Sequence, residues 1–396
     1  MSEWQTFCLK DLGKIVGGAT PSTNNPKNYG NKIAWITPKD LSTLQGRYIK
    51  KGSRSISRLG FKSCSCVLLP KHAILFSSRA PIGYVAIAKK RLCTNQGFKS
   101  IIPNKKIYFE FLYYLLKYHK DNISNIGGGT TFKEVSGATL GLFEVKIPPT
   151  YYEQQKIART LSILDQKIEN NHKINELLHK ILELLYEQYF VRFDFLDENN
   201  KPYQTSGGKM KFSKELNRLI PSGWSVRFLN HKIVSTYQPK TISKTLLNDS
   251  YSYSVYGGGG IIGRFTEYNH EQSEFIISCR GQCGISYLTL PKSWITGNAM
   301  VIRPTKSYTS KTYLYHTIKK YKLTNYITGS VQPQITRQNL STMPILIPKR
   351  KTLNKWNNIS SLLWNLIHNS MQSTQTSTAL RDFLLPLLLK QQVKPQ

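Results

Sequence analysis

Three patterns in this chain carry the residue types of catalytic or cofactor sites, and each lacks the setting its chemistry needs. The run YGGGGIIGRF places Gly258, Gly260 and Gly263 in the spacing of a dinucleotide-binding turn. Such a turn works between a strand and a helix, with an acidic residue about 20 positions on to hold a ribose. Here the glycines run into Arg264, Phe265, Thr266 and the turn-like EYNHEQ, so a flexible loop is expected. Glu144-Val145-Lys146 resembles the carboxylate–lysine end of a metal-dependent nuclease, but no Pro-Asp precedes it suitably. Cys64 and Cys66 are one residue apart, Cys279 and Cys283 three, and Cys8 and Cys93 stand alone. Zinc knuckles require paired C-x-x-C spacing, so reduced, mostly buried thiols and no metal site are expected. The chain also lacks a phosphate-binding loop, a nucleophile elbow and the aromatic-flanked Pro-Pro motif of amino-methyltransferases. The residues point to a chain that catalyses nothing by itself.

What remains is charge. Lys and Arg outnumber Asp and Glu by 55 to 22, a net charge of +33 over 396 residues, with a pI of 9.9. A field of that sign favours a polyanion, and nucleic acid is a better fit than a membrane surface. No run of 18 apolar residues is present, Pro386 interrupts FLLPLLL, and MSEWQTF resembles neither a signal nor a transit peptide. A soluble, cytoplasmic protein is expected.

The elements that position these charges come in two copies. Gly128 to Pro148 matches Thr328 to Pro348 at an offset of 200: Gly129 with Gly329, Val135 with Ile335, Leu140 with Leu340, Pro148 with Pro348. Upstream, Arg79 and Gly83 match Arg280 and Gly284 at 201, and Trp4 matches Trp224 at 220. Ordered matches of Trp, Arg, Gly and Pro over such a span indicate duplication. Each copy mixes short apolar runs with turn-rich stretches, which predicts strands joined by loops. The mixed regions are residues 1–150 and 224–349, and FEFLYYLLKYHKDN is helical.

After each mixed region comes a long helical pattern. Residues 151–198 hold the first, with an apolar seam at Leu161, Leu164, Ile168, Leu178, Leu182 and Leu185. Residues 350–390 hold the second, whose seam is predicted at Ile359, Leu363, Leu366, Leu380 and Leu384. The spacing of three and four suits helix-on-helix contact. Asn171 and Asn175 in one and Ser370, Ser373 and Ser377 in the other leave both apolar at the ends and polar at the centre. Antiparallel pairing would match ends to ends and centres to centres. Residues 199–223 read as a polar linker.

The ordered segments YYEQQKIARTLSILDQKIENN, LLYEQYFVRF, GGKMKF and IPSGW, together with SVYGGGGIIGRFTEYN and TTFKEVS, are similar to those of specificity subunits of Type I restriction-modification enzymes. The similarity covers essentially the whole chain. It departs from the pattern in the second helix, where the Glu-Gln-Gln is lost and Trp364 stands where Asp165 would fall. The resemblance implies an α+β fold: two similar target-recognition domains joined by two long helices that form an antiparallel coiled-coil spacer, in a pseudo-twofold internal repeat. It implies a host-defence role in which each domain reads half of a bipartite, asymmetric site on double-stranded DNA. Two methyltransferase subunits and restriction/translocase subunits would be partners, and S-adenosylmethionine, ATP and Mg would sit on those partners, none on this chain. A helix of roughly 40 residues spans about 60 Å, enough to hold two readers one to two DNA turns apart, at about 35 Å per turn. Docking is assigned to Glu153, Gln154 and Lys156. The rival readings are a stand-alone DNA-binding regulator, which leaves the EQQKIA helix without a purpose, and a single-chain enzyme, which lacks the motifs.

Within each domain, guanidinium and ammonium groups suit guanine and phosphate, and amides suit adenine. On that basis the first domain's DNA contacts are expected from Thr20, Lys39, Arg79, Asn95, Gln96, Thr130 and Lys133. Those of the second are expected from Lys240, Arg280, Gln282, Asn298, Gln332, Gln334 and Arg337. Arg79 and Arg280 occupy equivalent positions and suit the fold or the DNA backbone; positions that differ between copies suit half-sites that differ.

Overall fold

The computed structural model describes residues 3–79, 81–129, 133–249, 251–330 and 332–394. The chain divides into two compact units, Met1–Lys173 with Gln372–Gln396, and Ile174–Met371. Each unit therefore takes part of each of two long helices, Tyr151–Tyr186 and Arg350–Leu389.

The first unit opens with Gln5–Cys8 paired antiparallel to Glu144–Ile147, which staples the beginning of the mixed region to its end. Inside lies a five-stranded sheet in the order Gly13–Gly17, Lys99–Pro103, Ile74–Phe76, Val85–Ala88, Tyr48–Ile49. Beside it is a three-stranded sheet of Arg54–Ile56, Tyr29–Ile36 and Cys93–Thr94. Helix Phe109–Tyr118 buries Phe111 through Leu116 in the core that also takes Ile74, Phe76 and Ile101. The same core holds Ile157, Ala158 and Leu161 of the first long helix and Leu385, Leu388 and Leu389 of the second. Pro386 lies in the last turns of that helix.

The second unit repeats these ladders. Ser225–Phe228 pairs with Pro344–Ile347, and Ser225↔Ile347 repeats Gln5↔Ile147. Val234↔Pro304 repeats Gly13↔Pro103, and the parallel pair Val255↔Trp294 repeats Trp35↔Cys93. Its main sheet has four strands, with no counterpart of Tyr48–Ile49 among the described residues. Its core gathers Trp224, Phe275, Tyr313 and Ile345 with Leu182 and Tyr186 of the first long helix, Phe190 of the turn that follows it, and Leu353, Trp356, Trp364 and Ile367 of the second.

Three details differ from the sequence reading. The glycine-rich run is a β-hairpin, Tyr253–Gly257 against Gly260–Phe265, turned by Gly258 and Gly259. The residue at positive φ is Gly260 at the exit of the turn, φ +100°, a conformation that closes a type I turn with a bulge and that glycine adopts without strain. The stretch read as linker contains a second hairpin, Met210–Ser213 with Arg218–Pro221, anchored by buried Ile220. The buried stripe of the second long helix runs one residue further round than predicted: Ile359, Leu366 and Leu380 are exposed, while Ser360, Trp364 and Ile367 are buried. Ser360 can enter the core because its hydroxyl pairs with Thr312 at 2.8 Å, which offsets the desolvation cost of burying it. Leu363 and Leu384 are half-buried. In the first long helix Leu161 and Leu182 are buried and Leu164, Ile168, Leu178 and Leu185 half-buried.

Candidate nucleic-acid interface

In the first unit four loops meet at one end of the sheets. The loop after Gly13–Gly17 approaches the turn at residues 94–98 through Gly18 N to Phe98 O at 3.4 Å and Ala19 N to Thr94 O at 3.0 Å. A Cβ on Gly18 would collide with the carbonyls of Asn95 and Thr94, so only glycine allows this approach. Ser78 N donates to Gly97 O at 2.8 Å, and Val135 N to Ser78 O at 3.0 Å, tying in the loop that carries Arg79 and the one that carries Glu134. Thr20 Oγ1 donates to Gln96 Oε1, and Asn95 Oδ1 accepts from Gly97 N at 3.1 Å. Pro38, next to Lys39, is the nearest neighbour of the Gly97 Cβ position. Lys133 is exposed and its side chain packs across Gly127. Thr20, Lys39, Arg79, Asn95, Gln96 and Lys133 are thus brought together; Thr130 lies outside the described residues.

The second unit builds the same junction from different side chains. Cys279 N donates to Asn298 O and Ile335 N to Cys279 O, both at 3.0 Å. Gln238 Nε2 donates to Gly297 O at 3.4 Å, and Pro239 and Thr241 flank the Gly297 Cβ position, which sets Lys240 beside Asn298. Gln282 O accepts from Ser278 Oγ at 2.5 Å. The isolated bridge Arg280↔Gln334 repeats Arg79↔Glu134. Lys240, Arg280, Gln282, Asn298, Gln332 and Gln334 are exposed. Arg337 stands apart, lining a cleft of about 510 Å³ with Leu229, Asn230, His231, Val234 and Gln338.

Sequence reasoning missed a buried ionic network in the first unit. Arg47 Nη1 lies 3.0 Å from Glu110, Arg381 Nη1 lies 2.8 Å from Asp165, and Tyr114 Oη donates to Asp165 at 2.5 Å. Arg47 Nε is 3.5 Å from Glu169. Burial disfavours the Arg47 cation, but the fields of Tyr114, Glu110, Asp165 and Glu169 outweigh it and hold its pKa above the ordinary value. In the second unit Trp364 takes the place of Asp165 and packs edge-on against Tyr315, the counterpart of Tyr113, and beside His316, the counterpart of Tyr114. Gln154 must be corrected as a docking residue: it is 1% exposed, accepting from Tyr108 N at 2.7 Å and donating to Lys106 O at 3.0 Å. An amide so engaged fixes its own domain's backbone. Glu153 N donates to the capping hydroxyl of Thr150 at 3.2 Å, and that hydroxyl donates to the Glu153 carboxylate at 3.1 Å, while Lys156 lies over the Tyr152 ring at 5.2 Å.

The model of the Type I restriction modification DNA specificity domain matches residues 1–180 and 221–379, one stretch for each copy of the repeat. The chain belongs to that family. It is 32% identical over 424 aligned residues to the MjaIX specificity subunit of Methanocaldococcus jannaschii, covering 98% of this chain and 93% of the relative. It is 31% identical to the HindI specificity subunit of Haemophilus influenzae over 46% of this chain and 40% of the relative. The fold matches the crystal structure of the S subunit from M. genitalium at a TM-score of 0.62 and 18% identity, covering 97% and 96% of the two chains. As a specificity chain, it serves as the sequence-specific DNA-recognition subunit of a Type I system. Among its described residues no group of three His, Cys, Asp or Glu is placed to hold a metal ion, and no helix is long and apolar enough to cross a membrane.

Proposed function

We propose that the chain is the non-catalytic reader of a cytoplasmic Type I complex. Its two loop junctions take the halves of a bipartite, asymmetric site, and its long helices run antiparallel as the spacer. Methyltransferase subunits dock on it for adenine methylation, and restriction subunits join for cleavage; S-adenosylmethionine, ATP and Mg belong to those partners. The observation that carries the docking part is an apolar stripe left uncovered on the first long helix. Ile174, Leu177, Ile181 and Leu184, spaced three, four and three apart, are 48, 61, 44 and 58% exposed. A heptad-spaced stripe that the chain itself does not bury suits a further helix. The antiparallel spacer is supported inside each unit, where the start of one long helix shares a core with the end of the other. Co-purification tests the reading: the full chain should bring down two methyltransferase chains, and a variant carrying Leu177→Gln and Leu184→Gln should lose them while keeping its unfolding temperature. A wild-type chain that purifies alone would favour the stand-alone regulator.

A further inference from the structure

The duplication supplies an internal control for which residues choose bases. At the loop junction of the first unit, Glu134 faces Arg79 Nη1 at 3.7 Å and Lys99 Nζ at 3.4 Å. The carboxylate remains 37% exposed, so it is held in place without being withdrawn from the surface. In the second unit the backbone bridge is kept, Arg280↔Gln334, but an amide replaces the carboxylate. The ladders place Met300 where the first unit has Lys99, since Phe275↔Ile302 repeats Ile74↔Ile101. Met300 is 1% exposed. Acid and supporting lysine are thus exchanged together for amide and methionine, while the arginine stays.

A carboxylate is an unexpected group on a face built to meet phosphates, in a chain of net charge +33. It repels phosphate oxygens and accepts only from donors. In the major groove a G·C pair offers both complements: the cytosine N4 amino group donates, and guanine O6 and N7 accept from a guanidinium. Adenine N6 and N7 instead match a side-chain amide.

We propose that Glu134 is a specificity-determining residue of the first reader, its carboxylate and the Arg79 guanidinium together requiring a G·C pair, while Gln334 beside Arg280 selects an A·T pair at the equivalent place in the other half-site. Lys99 is the positioning residue that holds the carboxylate. This rests on the DNA-recognition function of the chain.

The test is selection of bound duplexes from a randomised DNA library by the full-length chain, as wild type, Glu134→Gln, Lys99→Met with Glu134→Gln, and Gln334→Glu. The double variant transplants the second unit's own pair and keeps local charge balanced. Both variants of Glu134 should relax one G·C position in one half-site toward A·T, with discrimination there falling roughly 5- to 100-fold, the usual range for one good base contact. The other half-site should be unchanged. Arg79, released to a phosphate, should steepen the salt dependence of binding by about one unit of log–log slope. Gln334→Glu should alter one position in the other half-site only. A wild-type motif returned by both Glu134 variants overturns the proposal, as does loss of the whole first half-site with the second intact, which marks a purely structural pair. A wild-type chain that selects no split motif overturns the DNA-reading assignment itself.

Discussion

The second unit should lose stability in mild acid through two buried histidines. His316 is 3% exposed, packed against Trp356 at 5.3 Å and Tyr186 at 5.6 Å between ring centroids. Burial first, then the charges of Lys319, His179 and Lys320, push its pKa down to about 3. Burial, with Lys311 and His179, pushes His368 down to about 4. Both values lie below the ordinary 6.5, so the unfolded chain binds more protons throughout the window between. The stability held by the neutral rings is complete above about pH 6.5 and is lost as pH falls toward the folded values. Linkage at 1.36 kcal/mol per unit gives a loss of about 2 kcal/mol per histidine between about pH 7 and pH 5. Urea unfolding followed by tryptophan fluorescence reads this unit preferentially, because Trp224, Trp294, Trp356 and Trp364 lie in it and only Trp4 and Trp35 in the other. Replacing His316 by Gln should remove about 2 kcal/mol of that pH dependence. A wild-type unfolding free energy that changes by less than about 0.5 kcal/mol between those pH values refutes the reasoning.

Asp165→Asn should destabilise the first unit by about 3 to 5 kcal/mol, because it leaves the buried cations of Arg381 and Arg47 under-compensated; urea titration of the full chain measures it. Gly18→Ala forces a Cβ into the carbonyls of Asn95 and Thr94, and should cost about 1 to 3 kcal/mol and weaken DNA binding in gel-shift titrations. Arg280→Ala should lower the salt slope of DNA binding by about one and leave the unfolding free energy within about 0.5 kcal/mol of wild type.

Much of the fold was legible because the duplication let one copy check the other. The offsets that align Trp4 with Trp224 and Pro148 with Pro348 are the offsets at which the strand ladders repeat. The second helix's seam was misread because apolar type alone was counted: Leu366 is exposed, whereas Ser360 is buried with Thr312 as its partner. That partner is distant in sequence, so no local pattern reveals it. Arg47 and Gln154 were illegible for the same reason, their charge and amide being matched by groups far along the chain. The loop junction was partly legible, since Arg79 and Arg280 stood out as equivalents. Glu134 was not among the expected contacts because only cationic and amide side chains were counted, and its approach to Arg79 and Lys99 shows what it could contribute.

The central claim, that this chain chooses the DNA sequence its system modifies, is tested most directly by mapping adenine methylation across the native genome with and without the gene. Deletion should abolish methylation at one split, asymmetric motif and leave every other methylated motif intact. An unchanged methylation map, in cells where the protein is expressed, would contradict the account.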